Sequence, residues 1–232
     1  MSSEYFDVIV VGGGHAACEA ALASARTGAS TLMLAINLDH IAQMSCNPAI
    51  GGIAKGHVVR EIDALGGAMG RVTDAAALQF RLLNLGKGPA VWSPRAQCDK
   101  VCYQKAMKRE VELQPNLCIR QGTACSFILE NGNVTGVVSQ LGEEFRSKAV
   151  VLATGTFLHG KMHYGLQNMP GGRAGDPPSV ELAAALKDQL HLHVGRLKTG
   201  TPPRILGKSI DFSQMGVQGS DDVEEHFSFF PT

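Results

Sequence analysis

Residues 6–35 read FDVIVVGGGHAACEAALASARTGASTLMLA, and this stretch decides the fold. "FDVIVV" (6–11) is a continuous apolar run rich in β-branched residues, the pattern of a strand buried on both faces. The Ala-rich segment after the glycines reads as a helix ending at Gly28, a natural C-terminal cap. "STLMLA" (30–35) is a second buried strand. Strand, glycine turn, helix and strand in this order make a βαβ unit.

The turn itself, Gly12-x-Gly14-x-x-Ala17, matches a dinucleotide-binding fingerprint with alanine in the third glycine position. Gly12 permits the tight turn out of the strand, and Gly14 lets the backbone approach a pyrophosphate. Ala17 is small enough for the helix to lie close on the sheet. The helix start over Gly13, His15 and Ala16 then faces the phosphate charge. The acidic residue that would bind the adenosine ribose should fall near Ala35, and the nearest polar side chain there is Asn37. That argues against a plain NAD dehydrogenase.

Further along, a helix is expected from about Ile53 to Leu65 and a longer one over 95–113, stopped by Pro115. From Leu117 to Val151 the period changes to short strands, with Asn131-Gly132 the stronger of two turn signals. A strand "AVVLATG" (149–155) follows, where Gly155 would approach the cofactor. A βαβ unit, then a helix, a three-stranded antiparallel meander and a strand ending in A-T-G is the order of a glutathione-reductase-like FAD domain. The expected fold is therefore α/β, a Rossmann-like FAD-binding domain with a parallel sheet and a β-meander. "MPGGRAGDPPS" (169–179) reads as a loop with Ser179 capping the next helix, and "GRLKTGTPPR" (195–204) as a second loop. The three phenylalanines of "FSFF" (227–230) call for burial.

Composition narrows the function classes. The 232 residues are 44% hydrophobic and 18% charged, with 21 basic and 21 acidic side chains. A zero net charge gives no global pull towards nucleic acid or membrane, though a local basic patch remains open. No run is apolar enough to cross a bilayer, and the first strand begins so early that a signal peptide has no room, which predicts a cytoplasmic protein. The six cysteines match neither zinc nor disulfide spacing and read as reduced thiols.

Six segments together closely resemble the N-terminal part of the MnmG family, also called GidA: "GGGHAACEAA", "QMSCNPAIGGIAKGH", "EIDALGG", "LNLGKGPAVWSPRAQCDK", "GGRAGDPPS" and "GRLKTGTPPR". The resemblance implies an FAD-dependent enzyme of tRNA wobble-uridine modification. With an MnmE-type GTPase it adds an aminomethyl or carboxymethylaminomethyl group at C5, using NADH and methylene-tetrahydrofolate, and it works as a homodimer. It further implies FAD contacts at Gly12 to Ala17, Ala124 and Ser179, and a catalytic role for Cys46. Family members run several hundred residues longer, so the chain is expected to be an N-terminal fragment, inactive alone. Residues 1–204 would form the FAD-binding domain and residues 205–232 the start of the next.

Taken on its own residues, Cys46 sits in a loop, flanked by Ser45, Asn47 and Pro48, with Gly51 and Gly52 able to bring backbone close to a flavin ring. It reads either as a working thiol or as a small buried hydrophobe. Lys87, Arg95, Arg196, Lys198 and Arg204 lie in or beside glycine/proline loops, where they meet phosphates or plain solvent. Two other functions fit the cofactor turn: a small-molecule flavin oxidoreductase, and a non-catalytic FAD-binding interaction module.

Overall fold

The computed structural model describes residues 4–200, 202–221 and 226–230, so Thr201 of the second loop and the last two residues lie outside it. In chain order the elements are β1 (Glu4–Val11), α1 (His15–Arg26), β2 (Thr31–Ala35), β3 (Ala49–Gly51), α2 (Lys55–Ala64), α3 (Met69–Ala76), β4 (Ala77–Leu83) and β5 (Ser93–Cys98). Then come α4 (Lys100–Glu112), β6 (Leu117–Gln121), β7 (Ala124–Glu130), β8 (Asn133–Ser139), β9 (Glu144–Leu152), β10 (Lys161–Tyr164), β11 (Gln167–Pro170) and α5 (Glu181–Asp188). The chain forms two compact units, Met1–Gln43 with Met107–Arg196, and Met44–Ala106 with Leu197–Thr232. Among the described residues no helix is long and apolar enough to cross a membrane.

The first unit is built on a six-stranded sheet in the order β6-β2-β1-β9-β8-β7. β6, β2, β1 and β9 run parallel, while β8 is antiparallel to both β9 and β7. From Val8 to Val11, β1 lies between two parallel neighbours, which is why that half is wholly apolar, whereas Glu4 and Tyr5 at its start are exposed. α1 buries Ala17, Cys18, Ala21, Leu22 and Ala25, one stripe of small residues at helical spacing. Burial pushes the Cys18 thiol up to about 12, so it is inert packing. The expected Asn131-Gly132 turn joins β7 to β8, with both residues at positive φ (51° and 78°). The core gathers Ile9, Val11, Leu32, Leu34, Phe127, Val137, Phe145, Leu182 and Leu186.

Three expectations for this unit need correcting. The third meander strand and the "AVVL" strand are one: β9 pairs with β8 through Glu144–Arg146 and with β1 through Phe145–Leu152. Ser179 does not cap α5; Val180 holds that position without a side-chain bond, while Ser179 bridges Leu158 through its backbone. The 169–179 segment is not all loop, because Met169 and Pro170 belong to the β10–β11 hairpin.

The second unit contains the antiparallel sheet β3-β5-β4 with α2 and α3. The 95–113 segment is not one helix. Residues 93–98 pair on both sides, with β3 and with β4, and the inward positions Pro94, Ala96 and Cys98 alternate with Arg95 and Gln97. The helix starts only after Asp99, whose carboxylate accepts the N–H groups of Val101 (2.8 Å) and Cys102 (2.9 Å). The earlier helix starts at Lys55 rather than Ile53 because Ala54 sits at φ 62°.

Those amide bonds, from Cys102 and then Val101, hold the Asp99 carboxyl below its ordinary value. A depressed carboxyl adds stability above its unfolded pKa and loses it as pH falls through the folded one. Asp99→Ala is expected to lower the melting midpoint at pH 7 by a few degrees, and the difference from wild type should close below about pH 4. A gap independent of pH in a denaturation series would rule out this cap as its source.

The chain's last described residues are anchored within the second unit. Phe227 is fully buried, its ring 5.3 Å from that of Phe80 in an edge-on contact. Asp74 accepts the N–H groups of Phe227 and Ser228, and the buried Asp63 accepts that of Phe229. The expectation of three buried rings holds for one. Phe229 and Phe230 are 54% and 59% exposed, with Arg60 stacked 5.1 Å over the Phe229 ring.

Candidate functional site

In the first unit the loops that follow β1, β2, β6 and β9 build the site. Gly12 leaves β1 at φ 137°, its N–H bonded to the Leu34 carbonyl at 2.9 Å. A Cβ there would strike the carbonyl of Ala153, and Ala153 in turn donates to Val11 at 2.9 Å. Only glycine tolerates both demands. Gly13 lies close over Ala35, and its carbonyl accepts from Ala42 at 2.8 Å.

Gly14 differs from its neighbours. Its backbone is extended (φ −82°, ψ −174°), and a Cβ built on it would meet nothing within 4 Å. Neither the turn nor the packing demands a glycine here; what the residue preserves is open space over the start of α1. That helix has no capping side chain and no acidic residue in its first turn. A helix N-terminus of this kind carries partial positive charge and receives an anion. Burial holds the His15 imidazole below its usual pKa, which disfavours its charged form.

Of two further expected residues, Ala124 opens β7 and Ser179 lies in the loop before α5. Gly122 donates to the Ala35 carbonyl at 2.9 Å, which places the buried Ala124 next to the end of β2. Ser179 is buried, its N–H on Phe157 and its carbonyl on the His159 N–H, both at 2.8 Å. Gly155 has φ 54° and nothing within 4 Å of a Cβ, so its own conformation accounts for glycine there. Asn37, the neutral residue near the ribose position, accepts the Asp39 N–H at 2.8 Å.

Sequence reasoning missed a cluster around the buried Asp176 that ties these loops together. Asp176, in the loop before α5, accepts from His40 Nδ1 at 2.9 Å and from Nε and the second guanidinium nitrogen of Arg173, both at 2.7 Å. His40 follows β2, so the cluster links the loop after β2 to the one before α5. The R-x-x-D spacing in "GGRAGDPPS" was its only trace in the sequence.

In the second unit Cys46 is half-buried in the loop before β3. Its thiol donates to the Gly200 carbonyl at 3.4 Å, and Arg204 donates to the Cys46 carbonyl at 2.7 Å. The "GRLKTGTPPR" segment is thus bonded to the cysteine on both sides, and Arg204 binds protein backbone rather than standing free in solvent. Gly51 (φ 90°) has packing reasons to be glycine, since a Cβ would meet Pro94 and the Phe227 ring. Gly52 (φ 93°) faces open space. Arg196, in the first unit, donates to the His159 carbonyl at 3.2 Å.

A family model described as glucose inhibited division protein A matches residues 7–232. The chain belongs to the GidA family. Two crystal forms of Aquifex aeolicus GidA superimpose on it with a TM-score of 0.93 at 52% identity, covering 98% of this chain. The chain spans 38% of the length of those GidA chains. A GidA-related protein from Thermus thermophilus shares the fold at 22% identity, with a TM-score of 0.58 over 78% of this chain and 67% of its own. Membership in the GidA family agrees with the α/β architecture read from the glycine turn, including the largely parallel sheet and the meander.

Proposed function

We propose that this GidA-family chain is the FAD-binding part of a tRNA-modifying flavoenzyme. The observation that carries the reading is the glycine turn. Gly12 is locked against Ala153, while Gly14 keeps the space over the uncapped start of α1 clear for a pyrophosphate. The residues present fit the group: Gly12 to Ala17 would hold the pyrophosphate, with Ala124 at the start of β7 and Ser179 in the loop before α5 as further contacts. Bound FAD would supply electron and hydride transfer.

The chain's own residues then divide the remaining work. The first-turn amides of α1 offset phosphate charge. Cys46 acts as nucleophile or acid/base in uridine modification, and Arg204 holds its loop through the Cys46 carbonyl. The reading extends to tRNA as substrate and an MnmE-type GTPase as partner. It also includes NADH and methylene-tetrahydrofolate as co-reactants, and homodimer assembly. In it, residues 1–204 form the FAD-binding domain and residues 205–232 begin the next.

Titrating the 232-residue chain with FAD, with NAD as competitor, tests the cofactor. Weak but saturable quenching of flavin fluorescence that excess NAD does not reverse is expected, without turnover. Displacement by NAD would replace FAD in this reading. In the full-length enzyme Cys46→Ser is expected to retain FAD and lose tRNA modification; normal modification by that variant would remove Cys46 from the chemistry.

A further inference from the structure

Strand register in the second unit sets two arginines face to face. Arg81 of β4 is directly opposite Arg95 of β5, and two residues along, Gln79 is opposite Gln97. Side chains alternate across a strand, so all four project from one face of the sheet, the one turned away from buried Pro94, Ala96 and Cys98. On its other side Arg95 is paired with Gly51, which contributes no side chain. Both arginines are half-buried, and like charges directly opposite destabilise an antiparallel pair.

One carboxylate stands between them and balance. Asp221 Oδ1 lies 3.4 Å from Arg81 Nε, and its Oδ2 accepts the Leu82 N–H at 2.6 Å. The arginine contact is within ion-pair range but is not aligned as a hydrogen bond. Arg81 Nε therefore remains a buried donor without an acceptor, and Gln97 Oε1 is a buried acceptor without a donor. Among the described residues Arg95 makes no hydrogen bond or ion pair. Gln79 is spent elsewhere, its amide donating to the carbonyls of Gln218 and Gly219. Buried polar atoms in native proteins are satisfied, and those that are not call for a missing partner.

We infer that this face binds an oxyanion, a phosphate or carboxylate group, on a ligand that also presents an N–H or O–H. The anion would accept from Arg81 Nε and the Arg95 guanidinium and cancel their repulsion, since among the described residues two arginines face one aspartate. The adjacent hydrogen of the ligand would satisfy Gln97 Oε1. Planar guanidinium groups match phosphate and carboxylate geometry. The site stands apart from the flavin reading, and the failure of either leaves the other untouched.

Thermal unfolding of the 232-residue chain at fixed ionic strength provides the test, with inorganic phosphate in one arm and glutamate in the other. One arm is expected to raise the wild-type midpoint saturably, and that arm identifies the oxyanion. Arg95→Met should abolish the rise, and in chloride alone it should unfold no lower than wild type because the repulsion is gone. Asp221→Asn keeps an acceptor for Leu82 and removes the competing charge, so half-saturation should fall about threefold or more. A wild type that responds to neither anion, an Arg95→Met chain that responds like wild type, or an unmoved half-saturation in Asp221→Asn would each overturn the inference.

Discussion

Gly14→Ala is expected to leave the chain folded and to weaken FAD binding at least tenfold, about 1.4 kcal/mol or more. The added methyl meets no protein atom within 4 Å, and the backbone is already in a conformation that alanine adopts. The folding cost is that of a poorer helix cap, about 1 kcal/mol at most. The loss falls on the ligand, because the methyl occupies the space the pyrophosphate must enter. Gly12→Ala makes the contrast. It forces a side chain into φ 137° and against the Ala153 carbonyl, so it should destabilise the fold itself by about 1–3 kcal/mol or more. Chemical denaturation together with flavin titration separates the two effects. If Gly14→Ala bound FAD as tightly as wild type, the pyrophosphate would not pass over this residue.

Phe227→Ala should cost about 3–5 kcal/mol in urea denaturation. The side chain is fully buried, packs edge-on against Phe80 and fills the space left by the missing Cβ of Gly51. Removing it leaves the segment held only by its backbone bonds to Asp74 and Asp63 and by the Arg60–Phe229 stack. Phe230→Ala, at a ring 59% exposed, should fall within about 0.5 kcal/mol of wild type. Equal losses at both positions would mean that the tail is not anchored through Phe227.

The two phenylalanines show what a sequence conveys and what it withholds. Their crowding near the terminus signals burial, but which ring goes inside depends on Asp63 and Asp74, more than 150 residues away, taking the backbone N–H groups. The βαβ unit was legible because its signals are local: an apolar run, glycines at a turn, an Ala-rich helix. The Asn131-Gly132 hairpin was legible for the same reason. β5 was not, since its pairing with two distant strands outweighs the helical propensity of "RAQCDK"; only the alternation of Arg95, Ala96, Gln97 and Cys98 hinted at it. In the candidate site the glycines announced themselves. Asp176 did not, and Arg204, singled out as a loop cation, gave no sign of its bond to the Cys46 carbonyl, because a lone carboxylate or guanidinium shows no partner until the fold supplies one.

The pairing of β1 with β9 also constrains the order in which the protein matures. Val8 is in register with Ala149, and the Gly12 turn is closed by the carbonyl of Ala153. At about 5–20 residues per second of synthesis, roughly 7–30 seconds separate the two halves of that closure. During that interval the apolar Val8–Val11 half of β1 waits for its second neighbour, held on one side only once β2 has emerged. Such distant pairing folds slowly. The nascent chain thus completes the pairing of this apolar stretch late, and flavin added during translation would meet a competent turn only after β9 has docked.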